Sequence, residues 1–505
     1  MVACLGFAIW RFPSPVDGNG DTIWLIIVAE RLLDGARLYA DVFETNPPMS
    51  VLLYVPAVWS ARQFGGVAEW WLVGHCLALA GLAVLLLARV LPLCGIDKQA
   101  DRAALLAVTV FVLVVMPSRS FGQREHIAVM GLVPALALMA ARHVSGQASG
   151  WCIQIGSGVL AGLAICIKPH FALSLVLPLL ALLAVSLRHE VGRRPFADRL
   201  APWFSTANLT AALVFAGYVA LVLIAFPDFR GVMVERVSLL YVPDRLSVPE
   251  LLSAPATVLM VALLMLAGML RPARLSVPGL VMAAGALGCV AAFLVQGKGW
   301  AYQLLPGVSL AIIGFAAIAI GAVRNSIERE APRSIGLVVV AACVVAGILA
   351  PQVFSRYDTP RQLEALLARH VERPTLLAAT VSLEVLPMVR RLGGTWAGRS
   401  ASLWMTNTGS PQLVAGDSSP RQERIRSLVR LDRDLFVDDA VGKRPDVLLF
   451  SAPNPEQDFL VWALGDPRMA SLITQYHDIG EADAMRVFVR TDLLLQSLRL
   501  TRLGP

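Results

Sequence analysis

The chain has 505 residues, of which 56% are hydrophobic and only 16% are charged, and its mean hydropathy is +0.66. A soluble domain holds about 45–50% apolar and about 25% charged residues, so this composition predicts an integral membrane protein. It excludes a cytosolic enzyme and a disordered scaffold. It also excludes a nucleic-acid binder despite the net charge of +7, because polytopic proteins concentrate Lys and Arg in cytoplasmic loops.

Long apolar runs separated by short polar loops continue to about residue 354, and a spanning helix needs about 20 apolar residues. We therefore predict an α-helical polytopic domain over 1–354 with about eleven transmembrane helices. One span begins the chain, and the others lie near residues 70–93, 103–118, 127–141, 151–167, 171–187, 203–226, 251–270, 279–296, 304–323 and 334–354.

The first span is unusual because Met1–Trp10 is too short to cross a bilayer alone. It lacks the basic start and the small-residue cleavage site of a secretory signal peptide. We therefore expect either a tilted, partly buried helix or a start of the chain further upstream.

A long polar loop, 12–69, follows the first span and contains the apolar segment Met49–Ala61. This segment has only about 13 residues, so we interpret it as a helix lying on the membrane surface. If it spanned the membrane instead, only the start of the chain would change sides, and Asp17–Pro48 would lie in the cytoplasm.

After Arg356 the sequence becomes charged and is interrupted by prolines. The β-rich runs Thr375–Val381 and Asp446–Phe450 alternate with helical stretches such as Pro420–Arg430, which predicts a small soluble α/β domain over 355–505. The seven cysteines form no CxxC pair, so we interpret them as small core residues and not as disulfides or zinc ligands.

The loop Leu187–Ala201 contains four arginines and is the clearest cytoplasmic marker. Counting helices outward from it predicts a multi-pass protein of the bacterial inner membrane with the C-terminal domain on the extracytoplasmic side. The segments predicted on that side include the five with the most unusual polar residues, namely 17–21, 39–48, 123–126, 168–170 and 296–303.

These five polar segments predict a site on the extracytoplasmic face, because ionisable residues at helix ends are costly to desolvate. Snorkelling or helix capping would explain any one segment, but explains all five together poorly. Among them, Arg124, Lys168 and Lys298 are cations on three different loops, suited to neutralising the phosphate of a lipid-linked substrate. Contact with lipid headgroups is the alternative for each of them.

Asp17 and Asp21 lie in a glycine-bearing loop where a carboxylate can accept a proton from an attacking hydroxyl. The alternative for Asp21 is the N-cap of a helix over Thr22–Leu33, and both roles are compatible.

Trp300 and Tyr302 can stack on a sugar ring, although aromatic residues are expected at a membrane interface in any case. The remaining candidate substrate contacts are Asp41, Glu44, Glu125, His126, His170 and Gln303. The sequence indicates no cofactor and no metal site, and it leaves the use of a divalent metal open.

A family resemblance enters at the first loop. Asp21-Thr-Ile-Trp-Leu-Ile-Ile-Val-Ala-Glu-Arg-Leu-Leu-Asp-Gly35, then Leu38-Tyr-Ala-Asp41, Asn46-Pro-Pro-Met49 and Phe64-Gly65, resembles the first external loop of GT-C fold glycosyltransferases. These include the protein O-mannosyltransferases and the bacterial lipid A aminoarabinose transferases, which use polyprenyl-phosphate sugars. The resemblance covers about residues 1–323 in architecture and about 1–70 by motif.

The resemblance implies that Asp21 matches the catalytic-loop aspartate of the family, with Asp17 in reserve because Asp21-Thr22 replaces the family's frequent Asp-Glu. Asn46 stands where the family has a basic residue. The implied activity is inverting transfer of a sugar from a polyprenyl phosphate to an envelope glycan, lipid or protein. No nucleotide sugar is required, which agrees with the lack of a Gly-rich phosphate loop.

Two other functions remain open at this stage. One is a transporter or flippase of a lipid-linked or small anionic substrate, although the sequence lacks the inverted repeats common in transporters. The other is a polysaccharide polymerase or ligase of a different membrane fold. In the C-terminal domain, Asp438-Asp439 and His477-Asp478 are interpreted as solvated surface, and acceptor binding is the expected role of the domain.

Overall fold

The computed structural model describes residues 19–146, 149–189, 199–270, 276–327, 334–355, 359–451 and 458–495. The predicted first span and Asp17 lie outside these residues. The chain forms two compact units, one from 1–13, 70–225 and 245–356, and the other from 14–69, 226–244 and 357–505. The first loop and the segment 226–244 therefore belong to the same unit as the C-terminal segment.

The first unit is built from apolar helices joined by short turns. Its α-helices are Ala68–Val90, Gln99–Val110, Arg124–Ser145, Trp151–Ile167, Leu173–His189, Thr206–Ala225, Val248–Ser253, Pro255–Met269, Val277–Gln296, Leu305–Ile327, Ser334–Val344 and Ala350–Val353. π-helical turns at Phe111–Val115 and Val345–Leu349 extend two of them, and 3-10 turns occupy Leu91–Cys94, Ser118–Ser120, Pro169–Ala172, Ala201–Phe204 and Ala301–Leu304.

Seven helical segments among the described residues are long and apolar enough to cross a membrane. They are Ala68–Cys94, Arg124–Ser145, Pro169–Arg188, Thr206–Ala225, Val277–Gln296, Ala301–Val323 and Gly336–Val353. Trp151–Ile167 and Pro255–Met269 are apolar but shorter. The predicted polytopic helical architecture is confirmed, and the count of about eleven spans stays a prediction.

Glycines allow the helices of this unit to approach closely. A Cβ atom on Gly131 would lie 2.4 Å from the carbonyl oxygen of Leu160, and one on Gly158 would lie 2.4 Å from that of Ala207. Small residues at helix contacts are typical of membrane bundles, where packing replaces the hydrophobic effect. The helix Arg124–Ser145 is accordingly buried along most of its length.

The second unit contains a five-stranded sheet of order β2-β1-β3-β5-β4. Its strands are β1 Thr375–Ala379, β2 Thr395–Trp396, β3 Val447–Ser451, β4 Tyr476–Ala482 and β5 Met485–Arg490. β1 pairs in parallel with β2 and β3, whereas β5 is antiparallel to β3 and β4. The apolar runs of β1 and β3 are buried along nearly their whole length, as expected for parallel strands covered on both faces.

The other elements of this unit are helices and helical turns. They are Gly20–Leu33, Met49–Leu52, Val55–Phe64, Val234–Arg236, Arg361–Ala368, Val385–Arg391, Trp404–Gly409, Pro420–Lys443, Phe459–Leu464 and Pro467–Ile473, with π-helical turns at Phe229–Met233 and Val237–Tyr241 and a 3-10 turn at Ser410–Gln412. The predicted small α/β domain is confirmed, and its helix from Pro420 continues to Lys443.

The predicted surface helix Met49–Ala61 is two helices, because the chain turns at Leu53-Tyr54. With 4 and 10 residues they are too short to cross a membrane. The second helix exposes Trp59 by 50% and Phe64 by 68%. These exposed aromatic rings favour the surface-lying interpretation.

Candidate functional site

The predicted site residues fall into two groups, one in each unit. In the first unit they are Arg124, Glu125, His126, Lys168, His170, Lys298, Trp300, Tyr302 and Gln303, and in the second they are Asp21, Asp41 and Glu44.

Lys168 joins two helix ends of the first group. Its Nζ donates to Glu125 Oε1 at 2.6 Å and to Gln296 Oε1 at 2.8 Å. Gln296 Oε1 also accepts a hydrogen bond from Gln303 Nε2 at 3.0 Å. These contacts join the ends of four helical segments, and we call Arg124, Glu125, Lys168, Gln296, Lys298 and Gln303 the basic cluster.

The Lys168–Glu125 ion pair is deeply buried, with side-chain exposures of 9% and 0%. Two charges removed from water are stable together only if further hydrogen bonds satisfy their remaining polar atoms. Gln296 supplies one such bond to Lys168. The pair therefore fixes the spatial relation of two helices that are 43 residues apart in sequence.

Three buried polar atoms near this pair have no hydrogen-bond partner in the described part of the chain. They are Glu125 Oε2, His170 Nε2 and Gln303 Oε1. A buried polar atom without a partner costs about 1–3 kcal/mol, so such atoms are rare and need an explanation. Three of them on three different segments are typical of a site that receives a polar ligand.

Lys298 lies in a loop shaped by two glycines. Gly297 and Gly299 have φ angles of 69° and 72°, in the left-handed region that favours glycine. A Cβ atom on Gly297 would also lie 2.6 Å from Nε of Arg245. The sequence Gly-Lys-Gly thus sets the course of this loop, and Lys298 is only 8% exposed in it.

The two aromatic candidates are stacked on each other. The rings of Trp300 and Tyr302 lie 5.7 Å apart between centroids, with an interplanar angle of 28°. Trp300 is 43% exposed and Tyr302 is 8% exposed. Of these two rings, only that of Trp300 is exposed enough to contact a ligand over a substantial area.

His126 is used within the fold. Its Nδ1 accepts a hydrogen bond from the backbone N–H of Gly122 at 3.0 Å, which leaves the Nε2 proton to be donated to the carbonyl of Leu113 at 2.7 Å. The side chain is fully buried. One ring nitrogen binds the turn before Arg124 and the other binds the π-helical turn Phe111–Val115, which points to a role in positioning and not in substrate contact.

In the second unit, the helix Gly20–Leu33 is capped by Asn19, whose Oδ1 accepts from the backbone N–H of Thr22 at 2.9 Å. The interpretation of Asp21 as the N-cap is therefore wrong, because the helix begins one residue before it. Asp21 lies in the first turn, where the helix dipole stabilises a negative charge.

Glycine at position 20 brings this helix start close to the segment around Leu383. A Cβ atom on Gly20 would lie 2.3 Å from the carbonyl oxygen of Leu383. Backbone cannot move aside as a flexible side chain can, so the position of Asp21 depends on this glycine.

Glu44 is 5% exposed and accepts hydrogen bonds from Trp24 Nε1 at 2.7 Å and from the backbone N–H and the Nδ2 of Asn46, at 2.9 and 2.5 Å. Asn46, which stands where the resembling family has a basic residue, is thus a neutral partner of this carboxylate. Asp41 is exposed and accepts from the backbone N–H of Arg37 at 2.8 Å, which stabilises a surface turn.

Sequence reasoning missed several of these partners. Gln296 ends an apolar helix, and a polar residue at that position could have been recognised in the sequence as a candidate site residue. Trp24 gave no signal, because a tryptophan in an apolar run is expected to be core. Asp439, interpreted as solvated surface, is 2% exposed and binds Arg399 and Lys443, so that interpretation is wrong.

Within the described residues, no group of three or more His, Cys, Asp or Glu side chains is arranged to hold a metal ion.

No family model and no curated protein matches the chain. Solved structures do. Two crystal structures of ArnT from Cupriavidus metallidurans, one bound to undecaprenyl phosphate and one in the apo state, match with TM-scores of 0.52 and 0.51. Each is 14% identical and covers 97% of this chain and 98% of its own. At this identity the likeness shows the fold, and the GT-C fold predicted from the first loop is confirmed.

Proposed function

We propose that the chain is a membrane glycosyltransferase that takes a sugar from a polyprenyl-phosphate donor and transfers it, with inversion, to an envelope glycan, lipid or protein. The observation that carries the proposal is the buried contact of Lys168 with Glu125 and Gln296. Arg124 and Lys298 are close to these partners in sequence, and three buried polar atoms here have no partner among the described residues. The ArnT structure with undecaprenyl phosphate shows that this fold accommodates such a lipid.

The basic cluster binds the donor phosphate in this proposal. A lysine ammonium has three N–H donors, and Lys168 uses two of them on Glu125 and Gln296. The positive charge of Lys168, together with that of Arg124 and Lys298, attracts the oxygens of the donor phosphate. Cations placed at a departing phosphate stabilise the charge that develops there in the transition state.

Asp21 is the general base in this proposal. It takes the proton of the acceptor hydroxyl while that oxygen bonds to the anomeric carbon, and the bond from this carbon to the phosphate oxygen breaks. Attack opposite the leaving phosphate inverts the anomeric configuration. The role is supported by the place of Asp21 in the first turn of the helix Gly20–Leu33, where the resembling family has its catalytic-loop aspartate.

We further propose that the membrane domain spans 1–354, that 355–505 is an extracytoplasmic α/β domain which binds the acceptor, and that the protein resides in the bacterial inner membrane. A transporter is the competing function, and the GT-C fold favours the transferase. Reporter fusions at Arg194 and after Pro505 should give opposite signals, and equal signals would contradict this topology.

The decisive experiment identifies the lipid-linked sugar that accumulates in a deletion strain and supplies it to the purified protein in nanodiscs. Asp21→Asn should lower sugar transfer by about 10²–10⁴ with donor binding retained. Asp34→Asn is the matched control, since Asp34 ends the same helix and pairs with Arg62 at 2.8 Å. Full transfer by the Asp21 and Asp17 variants, or movement of the intact donor across vesicles without cleavage, would refute the proposal.

A further inference from the structure

A second polar group lies at the opposite end of the helix Arg124–Ser145. Arg142 is in the last turn of this helix, about 27 Å along the axis from Arg124 at 1.5 Å per residue. Cys94 contacts the same end, with its Sγ 3.5 Å from the carbonyl oxygen of Ala137. This end is therefore separated from the basic cluster by most of the thickness of a bilayer.

Arg142 lines a shallow recess between this helix and the starts of Trp151–Ile167 and Thr206–Ala225. Leu138 and Met139 line it one turn deeper. Among the described residues that line the recess, Arg142 is the only charged one. Its lining thus combines a cation near the helix ends with apolar surface further in.

The polar side chains of the recess differ in how they are used. Gln154 Nε2 donates to the carbonyl of Ser149 at 2.8 Å, and Asn208 Nδ2 donates to that of Pro202 at 3.0 Å. By contrast, among the described residues the buried Oγ of Ser149 has no partner, and the Arg142 guanidinium makes no hydrogen bond or ion pair with them. A guanidinium and a hydroxyl are therefore left to donate to an anion.

Two exposed aromatic residues flank this end of the unit. Trp151 begins one of the three helices and is 70% exposed, and Phe204 precedes another and is 69% exposed. Aromatic residues are enriched where a membrane protein meets the lipid headgroups. Their position indicates that the recess opens at headgroup depth, with its apolar side toward the acyl chains.

We propose that this recess binds an anionic glycerophospholipid of the leaflet at this end of the protein. The guanidinium of Arg142 binds the phosphate through parallel N–H donors, and the Ser149 hydroxyl donates to a third oxygen. One acyl chain lies along Leu138 and Met139. The site is independent of the donor site, and the proposed function does not depend on it.

The test uses the full-length protein in phosphatidylcholine nanodiscs that contain increasing fractions of phosphatidylglycerol, and counts retained lipid by native mass spectrometry. Arg142→Gln should weaken phosphatidylglycerol retention about tenfold or more, with partial recovery in Arg142→Lys. Arg89→Gln is the matched control, because Arg89 is an exposed arginine in the last turn of the helix that ends at the same side. It should retain the lipid as wild type does.

Four outcomes would overturn the proposal. The first is unchanged phosphatidylglycerol retention in Arg142→Gln, and the second is an equal loss of retention in Arg89→Gln. The third is retention of phosphatidylcholine equal to that of phosphatidylglycerol. The fourth is full competition by inorganic phosphate or glycerol phosphate, which would assign the recess to a soluble anion. If Arg142→Gln does not fold, Ser149→Ala removes only one donor and carries the same comparison. A Ser149→Ala variant with unchanged lipid retention would then count against the site.

Discussion

Replacing Lys168 with Met and Glu125 with Gln, singly and together, tests whether the buried ion pair organises the donor site. The two charged atoms lie 2.6 Å apart, with side-chain exposures of 9% and 0%. At an effective dielectric constant of about 20, their attraction is about 6 kcal/mol. Desolvation of two ions opposes this attraction, so the net value of the pair is far smaller.

The cost of each variant follows from what it leaves behind. Lys168→Met leaves a buried carboxylate and Glu125→Gln leaves a buried ammonium, and either should destabilise the protein by about 3–5 kcal/mol. The double variant leaves no uncompensated charge. Its loss should therefore be smaller than the sum of the single losses by about 2–4 kcal/mol.

Two measurements on the same four proteins separate structure from binding. Unfolding in mixed micelles gives the coupling free energy, and retention of labelled undecaprenyl phosphate in nanodiscs gives donor-lipid affinity. Lys168→Met should lower this affinity about tenfold, whereas Glu125→Gln should keep or raise it, because the lysine no longer shares its charge. Lys98→Met, at an exposed lysine, should change neither quantity.

Additive single losses would refute the energetic role of the ion pair. If Glu125→Gln and Lys168→Met reduced lipid retention equally while both remained folded, Lys168 would be a structural residue and not a phosphate ligand.

Three further predictions concern the second unit. Gly20→Ala should destabilise it by about 1–3 kcal/mol and lower sugar transfer further by moving the first helix turn, since the new Cβ would lie 2.3 Å from the carbonyl of Leu383. Burial raises the pKa of Asp432 to about 7. The protonated carboxyl therefore stabilises the fold fully below about pH 4, and this stabilisation is lost as the pH rises through 7. Asp432→Asn should flatten the pH dependence of Tm over that range. Arg390→Met leaves Glu69, which is 2% exposed and bound to Arg390 at 2.7 Å, without its counter-charge and should cost about 3–5 kcal/mol in chemical unfolding.

Much of the architecture could be predicted because its signals are local. The apolar runs produced the helices, and the β-rich runs at 375–381 and 446–450 produced two parallel strands. Hydrophobic periodicity, however, says nothing about which segments pack together. That 14–69 and 226–244 would form one unit with the C-terminal segment could not be predicted from composition.

The partners of charged residues were the least predictable part of the site. The positions of Lys168 and Glu125 at helix ends were visible in the sequence, but a bond between residues 43 apart was not. For Asp21, the N-cap was predicted two residues too late. Asn19 and Asp21 are both good N-cap residues, and only the observed start of the helix distinguishes them.

The ion pair also determines the charge that the basic cluster presents. Its three cations and one carboxylate sum to +2. Under the proposed function, the donor is a phosphodiester with one negative charge, whereas the leaving polyprenyl phosphate develops a second negative charge. The charge of the cluster therefore matches that of the leaving group better than that of the substrate. Such differential binding accelerates the chemical step but slows release of the product. Glu125→Gln raises the cluster to +3, and in single-turnover experiments it should keep a fast first transfer while steady-state turnover falls through retention of polyprenyl phosphate. A uniform fall in both rates would mean that Glu125 acts only by holding Lys168 in place.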